Sequence, residues 1–124
     1  MNAVSVSLIL VGVVHLIPVK GLLGTHQLIG LYGVADLNND VELLLRHRAI
    51  LFALLGTFLV YAAFNKGYQP IAIISGLVST FSFIVLSWHI GEPNELISKV
   101  VLVDWAATLI LVFAGSVLIY KSFN

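Results

Sequence analysis

Apolar residues run along this chain in four long blocks, and the few charges fall between them. Asn2–Val19, Ala49–Asn65 and Gly67–Gly91 carry no formal charge, and Leu102–Tyr120 carries one, Asp104. A helix that crosses a bilayer needs about 20 mostly apolar residues. The blocks therefore predict four helical spans over roughly 3–18, 43–64, 70–90 and 97–120. They lack the strict alternation of a membrane barrel strand. The expected fold class is all-α: a single domain over 1–124, an antiparallel bundle of four transmembrane helices.

Boundary signals agree with these spans. Asn39 followed by Glu42 forms a capping box for the second span. Pro70 suits the first turn of the third, and Pro93 that of the fourth. Gly91 and Pro93 close the third. No small-x-small site follows the first span and no basic residue precedes it, so it reads as a retained span rather than a cleaved signal. The one long connection, Pro18–Asp40, is apolar but broken by Gly21, Gly24, Gly30 and Gly33. It is too short to cross, and is expected to be an interfacial or partly re-entrant segment at the bundle end.

Composition narrows the function classes. Hydrophobic residues are 60% and charged residues 10%, with a mean hydropathy of +1.07. A soluble domain carries about 25% charged residues. Six basic residues balance six acidic ones, which leaves no basic excess for nucleic acid. The absence of cysteine excludes disulfides, iron–sulfur clusters, c-type haem and cysteine-ligated zinc. No glycine-rich phosphate loop or serine nucleophile elbow is present.

Span order decides which polar residues share an end. If the spans alternate, both termini lie on one side, together with Lys66 and Lys121. The other end, beside the long connection, collects all four histidines, both arginines and every carboxylate. Counting Arg46 and Arg48, that end has four basic residues against two, which favours placing it in the cytoplasm; if the arginines are buried in pairs, the count is nearly tied. Asp104 lies five residues past Lys99, about 7.5 Å along a helix. A charge at such depth normally faces the bundle and pairs, so Asp104 is expected to pair with Arg48 or Arg46. Glu42 and Arg46 make a helical pair.

Helical spacing gives inward stripes of small and hydroxyl residues, which let membrane helices approach closely. They are Ser75, Ser79, Ser82, Leu86 and His89 on the third span, and Asp104, Thr108, Leu111, Gly115 and Leu118 on the fourth. On the second span they are Arg46, Ala49, Ala53, Gly56, Val60 and Ala63. Arg46 and Arg48 stand about 200° apart on their helix, so at most one faces fully inward. The ligand-binding candidates are accordingly His15, Arg46, Arg48, His89 and Asp104, with His26, Gln27 and Tyr32 as a lid. Trp88, Trp105, Tyr32, Tyr68 and Tyr120 read as an interfacial belt. Phe52, Phe58, Phe64, Phe81, Phe83 and Phe113 read as packing or lipid contact.

The run Leu44–Gly56, which contains Arg46-His-Arg48, with Tyr61-Ala-Ala-Phe64 and Val13-Val-His-Leu-Ile-Pro18, resembles a family of small four-helix inner-membrane proteins of Gram-negative bacteria. The resemblance implies a place, the bacterial inner membrane, and no activity. Some members carry the label phosphopantetheine adenylyltransferase. The residues do not support it: the nearest match to a His-x-Gly-His phosphate motif is His89-Ile-Gly-Glu92, at the end of a span.

Two readings of function follow. In the first, the chain is a non-enzymatic membrane module that binds a lipid, a quinone-like amphiphile or a partner subunit at the polar end, with a homo-oligomer compatible. In the second, it is a redox subunit or enzyme in which His15, His47 or His89 serves a b-type haem or a quinone. No metal site is predicted, since neither His-x-x-x-His nor Glu-x-x-His occurs. A small transporter ranks last, because only Ser75, Ser79 and Thr108 offer a polar path toward the other end.

Overall fold

The computed structural model describes residues 2–34 and 38–123. Among them are five α-helices: α1 (Ala3–Leu16), α2 (Thr25–Tyr32), α3 (Asn39–Ala63), α4 (Gln69–Ile90) and α5 (Glu95–Ser122). Short 3-10 segments, Ile17–Leu23 and Lys66–Tyr68, follow α1 and precede α4. Four helices are long and apolar enough to cross a membrane: α3, α5, α1 with its 3-10 continuation, and α4 with the 3-10 turn before it.

Each long helix has a physical start. The side-chain oxygens of Asn2, Asn38 and Asn94 accept the amides of Ser5, Val41 and Ile97, each at 2.8 Å, and so satisfy first-turn donors of α1, α3 and α5. The α3 cap is therefore Asn38, one residue before the expected Asn39. Glu42 closes no box; it accepts the hydroxyl of Thr25 at 2.8 Å and faces Arg46 at 3.7 Å. Pro70 sits in the first turn of α4 as expected. Pro93 lies outside α5, because Asn94 takes the cap. α4 ends at Gly91, whose φ of 124° few residues other than glycine adopt.

The core draws Val4, Leu8 and Val11 from α1, Leu59 and Ala62 from α3, Ala72 and Ile73 from α4, and Leu111 and Ala114 from α5. At the α1–α3 seam the two backbones nearly touch. A Cβ on Gly12 would lie 2.9 Å from the Gly56 carbonyl oxygen, and one on Gly56 would lie 2.8 Å from that of Gly12. The expected α3 stripe holds at Ala49, Gly56 and Ala63, and that of α5 at Thr108 and Leu111, all buried. On α4 the stripe is rotated by about one residue, or roughly 100°. Its buried face is Ala72, Ile73, Gly76, Thr80 and Ile84, while Ser82, Leu86 and His89 are exposed.

The long connection folds onto one end of these helices. Leu28 of α2 is fully buried and Gly21 is buried beneath it. Asn94 fastens the far side. Its amide donates to the carbonyl oxygens of Tyr32 at 2.7 Å and Gly33 at 3.3 Å. The near side is tied to α3 by Arg46, which donates to the Leu22 carbonyl at 3.0 Å.

Candidate functional site

This folding shapes a half-open cavity of about 230 Å³ between the end of α1, α2, and the facing parts of α3 and α5. Its walls are mostly aliphatic. The polar side chains on it are His15, Tyr32, Arg48, Lys99 and Asp104.

His15 reaches the cavity from the last turn of α1 and is buried. Its Nδ1 lies 2.9 Å from the Val11 carbonyl, which can only accept, so Nδ1 carries a hydrogen. In the neutral ring Nε2 then accepts from the Ser79 hydroxyl at 3.0 Å. The ring also stands edge-on to Phe52, 5.5 Å between centroids at 81°. His15 is thus fully engaged within the protein.

Arg48 is not. Its guanidinium carbon lies 4.5 Å from the Phe52 centroid, 4.7 Å from that of Phe83 and 5.5 Å from that of Tyr32. Three rings therefore surround one cation with their negative faces. Its Nε is buried and makes no hydrogen bond among the described residues. Among the described residues the only ion pair is Glu42–Arg46. The expected Asp104–arginine pair is accordingly corrected. Arg46 is held by Glu42 and Leu22, while Arg48 shares the cavity with Asp104 but lies beyond ion-pair distance, drawn onto the rings. On the α5 side, the Thr108 hydroxyl donates to the Asp104 carbonyl at 2.7 Å and lies 2.8 Å from the Thr80 hydroxyl.

The structure thus brings together His15, Arg48 and Asp104, and adds Tyr32 as a buried wall. It leaves Arg46, His47, His89, His26 and Gln27 exposed and outside the cavity. Tyr32 is 5% exposed and stacks on Arg48, so it belongs to no interfacial belt. Lys99, Phe52 and Phe83 were not among the candidates. The Arg48–Phe52 spacing of four residues, which stacks side chains on one helical face, was the available signal for Phe52. Nothing in the sequence pointed to Phe83. No group of three His, Asp or Glu side chains gathers among the described residues.

A second concavity, about 490 Å³, lies at the opposite end beside Lys66 and Lys121. Size does not decide between the two; chemistry does. Its one buried polar side chain, Gln69, already bonds to Ser5 and Ala63. No protein family model, characterised protein or solved structure matches this chain.

Proposed function

We propose that the chain is a multi-pass membrane protein, with α1, α3, α4 and α5 crossing the bilayer as an antiparallel bundle and both termini on one side. Neighbouring contacts support the alternation: Ser5 meets Ala63, Gly12 meets Gly56 and His15 meets Phe52, so numbering falls on α3 as it rises on α1. Thr80 with Thr108 and Trp88 with Trp105 give the same order for α4 and α5. Outward residues such as Leu54, at 66% exposure, and Leu109, at 65%, are large and apolar. Such surfaces fit lipid and would be an aggregation liability in water. α1 crosses with its 3-10 continuation Ile17–Leu23, α2 forms the interfacial cover, and the bacterial inner membrane is the site we assign.

Within that bundle the protein is a binding module for a membrane amphiphile, held by its polar head in the cavity beside α2. One observation carries this reading: Arg48 sits in an apolar cavity, ringed by Tyr32, Phe52 and Phe83, with a buried Nε that finds no acceptor among the described residues. A charge away from water is normally paired, so a guanidinium left to rings invites an acceptor from outside. Pockets that enclose a whole drug-sized ligand measure about 300–1,000 Å³. At about 230 Å³ this cavity suits a head and its first chain atoms, with the tail passing into lipid. Haem ligation through His15 Nε2 would require it to abandon Ser79, and His47 and His89 lie outside the cavity.

Native mass spectrometry of the full chain, released gently from detergent, tests the reading. A retained amphiphile near one per chain is expected, and the Arg48→Gln variant should lose it. Equal retention by both proteins, or none by either, would sink the proposal.

A further inference from the structure

We infer that the cavity opens sideways into the bilayer, through a mouth between the end of α1 and α5, and that the alkyl chain of the bound amphiphile leaves the protein there. The inference rests on the amphiphile reading above and adds the route. Val14 and Ile17 form one lip of the mouth, and Val100 and Val103 form the other.

The other sides are closed. α1 and α3 meet at the Gly12–Gly56 seam, and Arg48 and Phe52 are the wall that α3 contributes. α4 supplies no lining residue; it stands behind, where Phe83 faces Arg48. α2 covers the top and is fastened along two edges. Asn94 holds the carbonyls of Tyr32 and Gly33, and the Thr25 hydroxyl donates to Glu42 on α3. The side between α1 and α5 differs. Deeper in the bundle these helices pack, with Leu8 and Val11 sharing one core with Ala107 and Leu111. Above that level their side chains line the cavity instead. Ile17 is 56% exposed and Val103 44%, although both stand on the cavity wall. Residues that line a cavity and also face outward mark its rim.

The rim shows what passes it. Lys99, exposed on the cavity edge, lies one turn nearer the helix start than Val103, which is about 6 Å deeper along α5. A lysine so placed keeps its ammonium at headgroup level, which puts the mouth just inside the hydrocarbon. An aqueous solute would have to enter that layer, whereas a lipid already lies in it. Across the interior stands Arg48. α1 and α4 each pack against α3 and α5, while α3 and α5 do not approach one another closely among the described residues. Among those residues the buried Nε of Arg48 makes no hydrogen bond and its guanidinium joins no ion pair. An oxygen of the head, in a neutral carbonyl or an oxyanion, answers that N–H. The head is thus drawn to the far wall, and a cavity of about 230 Å³ leaves the rest of the chain outside the mouth.

The test is photolabelling of the full chain in nanodiscs. The probes are a fatty acid and an alkyl phosphate monoester, each with a diazirine at mid-chain, and labelled residues are located by mass spectrometry of peptides. Label from at least one probe should concentrate on Val14, Ile17, Val100 and Val103. Arg48→Gln should cut that label about tenfold, because the head loses its anchor. Val103→Trp, which fills the mouth from an exposed position, should cut it by a similar factor. Leu109→Trp, on a different outward face of α5, should leave it within about twofold. Excess acetate or inorganic phosphate should not compete. Arg48-dependent label on α2 or α4 in place of the mouth would overturn the route while leaving an amphiphile site. Competition by acetate or phosphate would show a site filled from water and overturn entry from the bilayer. Mouth label that ignores Arg48→Gln would mark ordinary surrounding lipid and overturn the inference. Label spread evenly over the outward faces would do the same; if no amphiphile co-purifies either, the underlying reading falls with it.

Discussion

The bundle buries polar groups at both ends and treats them in opposite ways. At the end near the termini, the Ser5 hydroxyl donates to the Ala63 carbonyl at 2.6 Å, and the Gln69 amide lies 3.5 Å from Ser5 and 3.4 Å from Ala63. Three helices are stitched there by groups that answer one another. At the other end Arg48 is wrapped in rings, with a buried nitrogen that no described residue satisfies. Unmet polar groups are costly in a dry interior. The first cluster therefore works as structure, and the second leaves a buried polar group unanswered among the described residues, the observation on which the proposed binding rests.

The contrast can be broken by mutation. The largest effect is expected at the seam that joins the two ends. In Gly56→Val the new Cβ would lie 2.8 Å from a backbone oxygen and 2.9 Å from Leu16 Cγ, and the backbone cannot yield cheaply. Overpacking costs about 1–3 kcal/mol, occasionally more; a loss near the upper figure is expected in reversible unfolding from mixed micelles. A neutral result would mean that the α1–α3 contact is loose. Next, Ser5→Ala should cost about 0.6–1.7 kcal/mol, the range for interhelical hydrogen bonds in membranes. No measurable loss would take away the structural role of that end.

Arg48→Leu should be neutral or stabilising by about 1 kcal/mol, since replacing a poorly compensated buried charge by an apolar residue is often favourable. This holds for lipid-stripped protein; a loss as large as that of Gly56→Val would place Arg48 among the structural groups. Smallest of all, Glu42→Gln should change stability by less than about 0.5 kcal/mol, because its pairing with Arg46 lies at the exposed edge. A larger change would show that the tie between α3 and the connection holds the cavity wall.

Much of the fold was legible because apolar run length alone marks long helices. Charge-free blocks located four of the five helices to within a few residues, and the small residues of α3 found their face at Gly56. The α4 stripe failed for a physical reason: serines are tolerated on either face of a membrane helix, since Ser82 and Ser87 bond back to carbonyls of their own helix. The buried hydroxyl there is Thr80. At the candidate site, span order placed His15, Arg48 and Asp104 at one end, and they line one cavity there. The choice between Arg46 and Arg48 was hidden, because it depends on which carbonyl and which rings the connection delivers, and that is tertiary information.

The way Asn94 holds α2 separates attachment from chemistry. It grips the main-chain oxygens of residues 32 and 33 and makes no use of their side chains. Gly33 is fixed by its φ of 64° and by the closeness of Leu96 and Asn94. Position 32 carries no such constraint. A drifting sequence can therefore exchange the ring there for a smaller, larger or more polar group while the wall stays fastened. The side chain on the cavity wall and the fastening of that wall can evolve along separate paths, one residue apart.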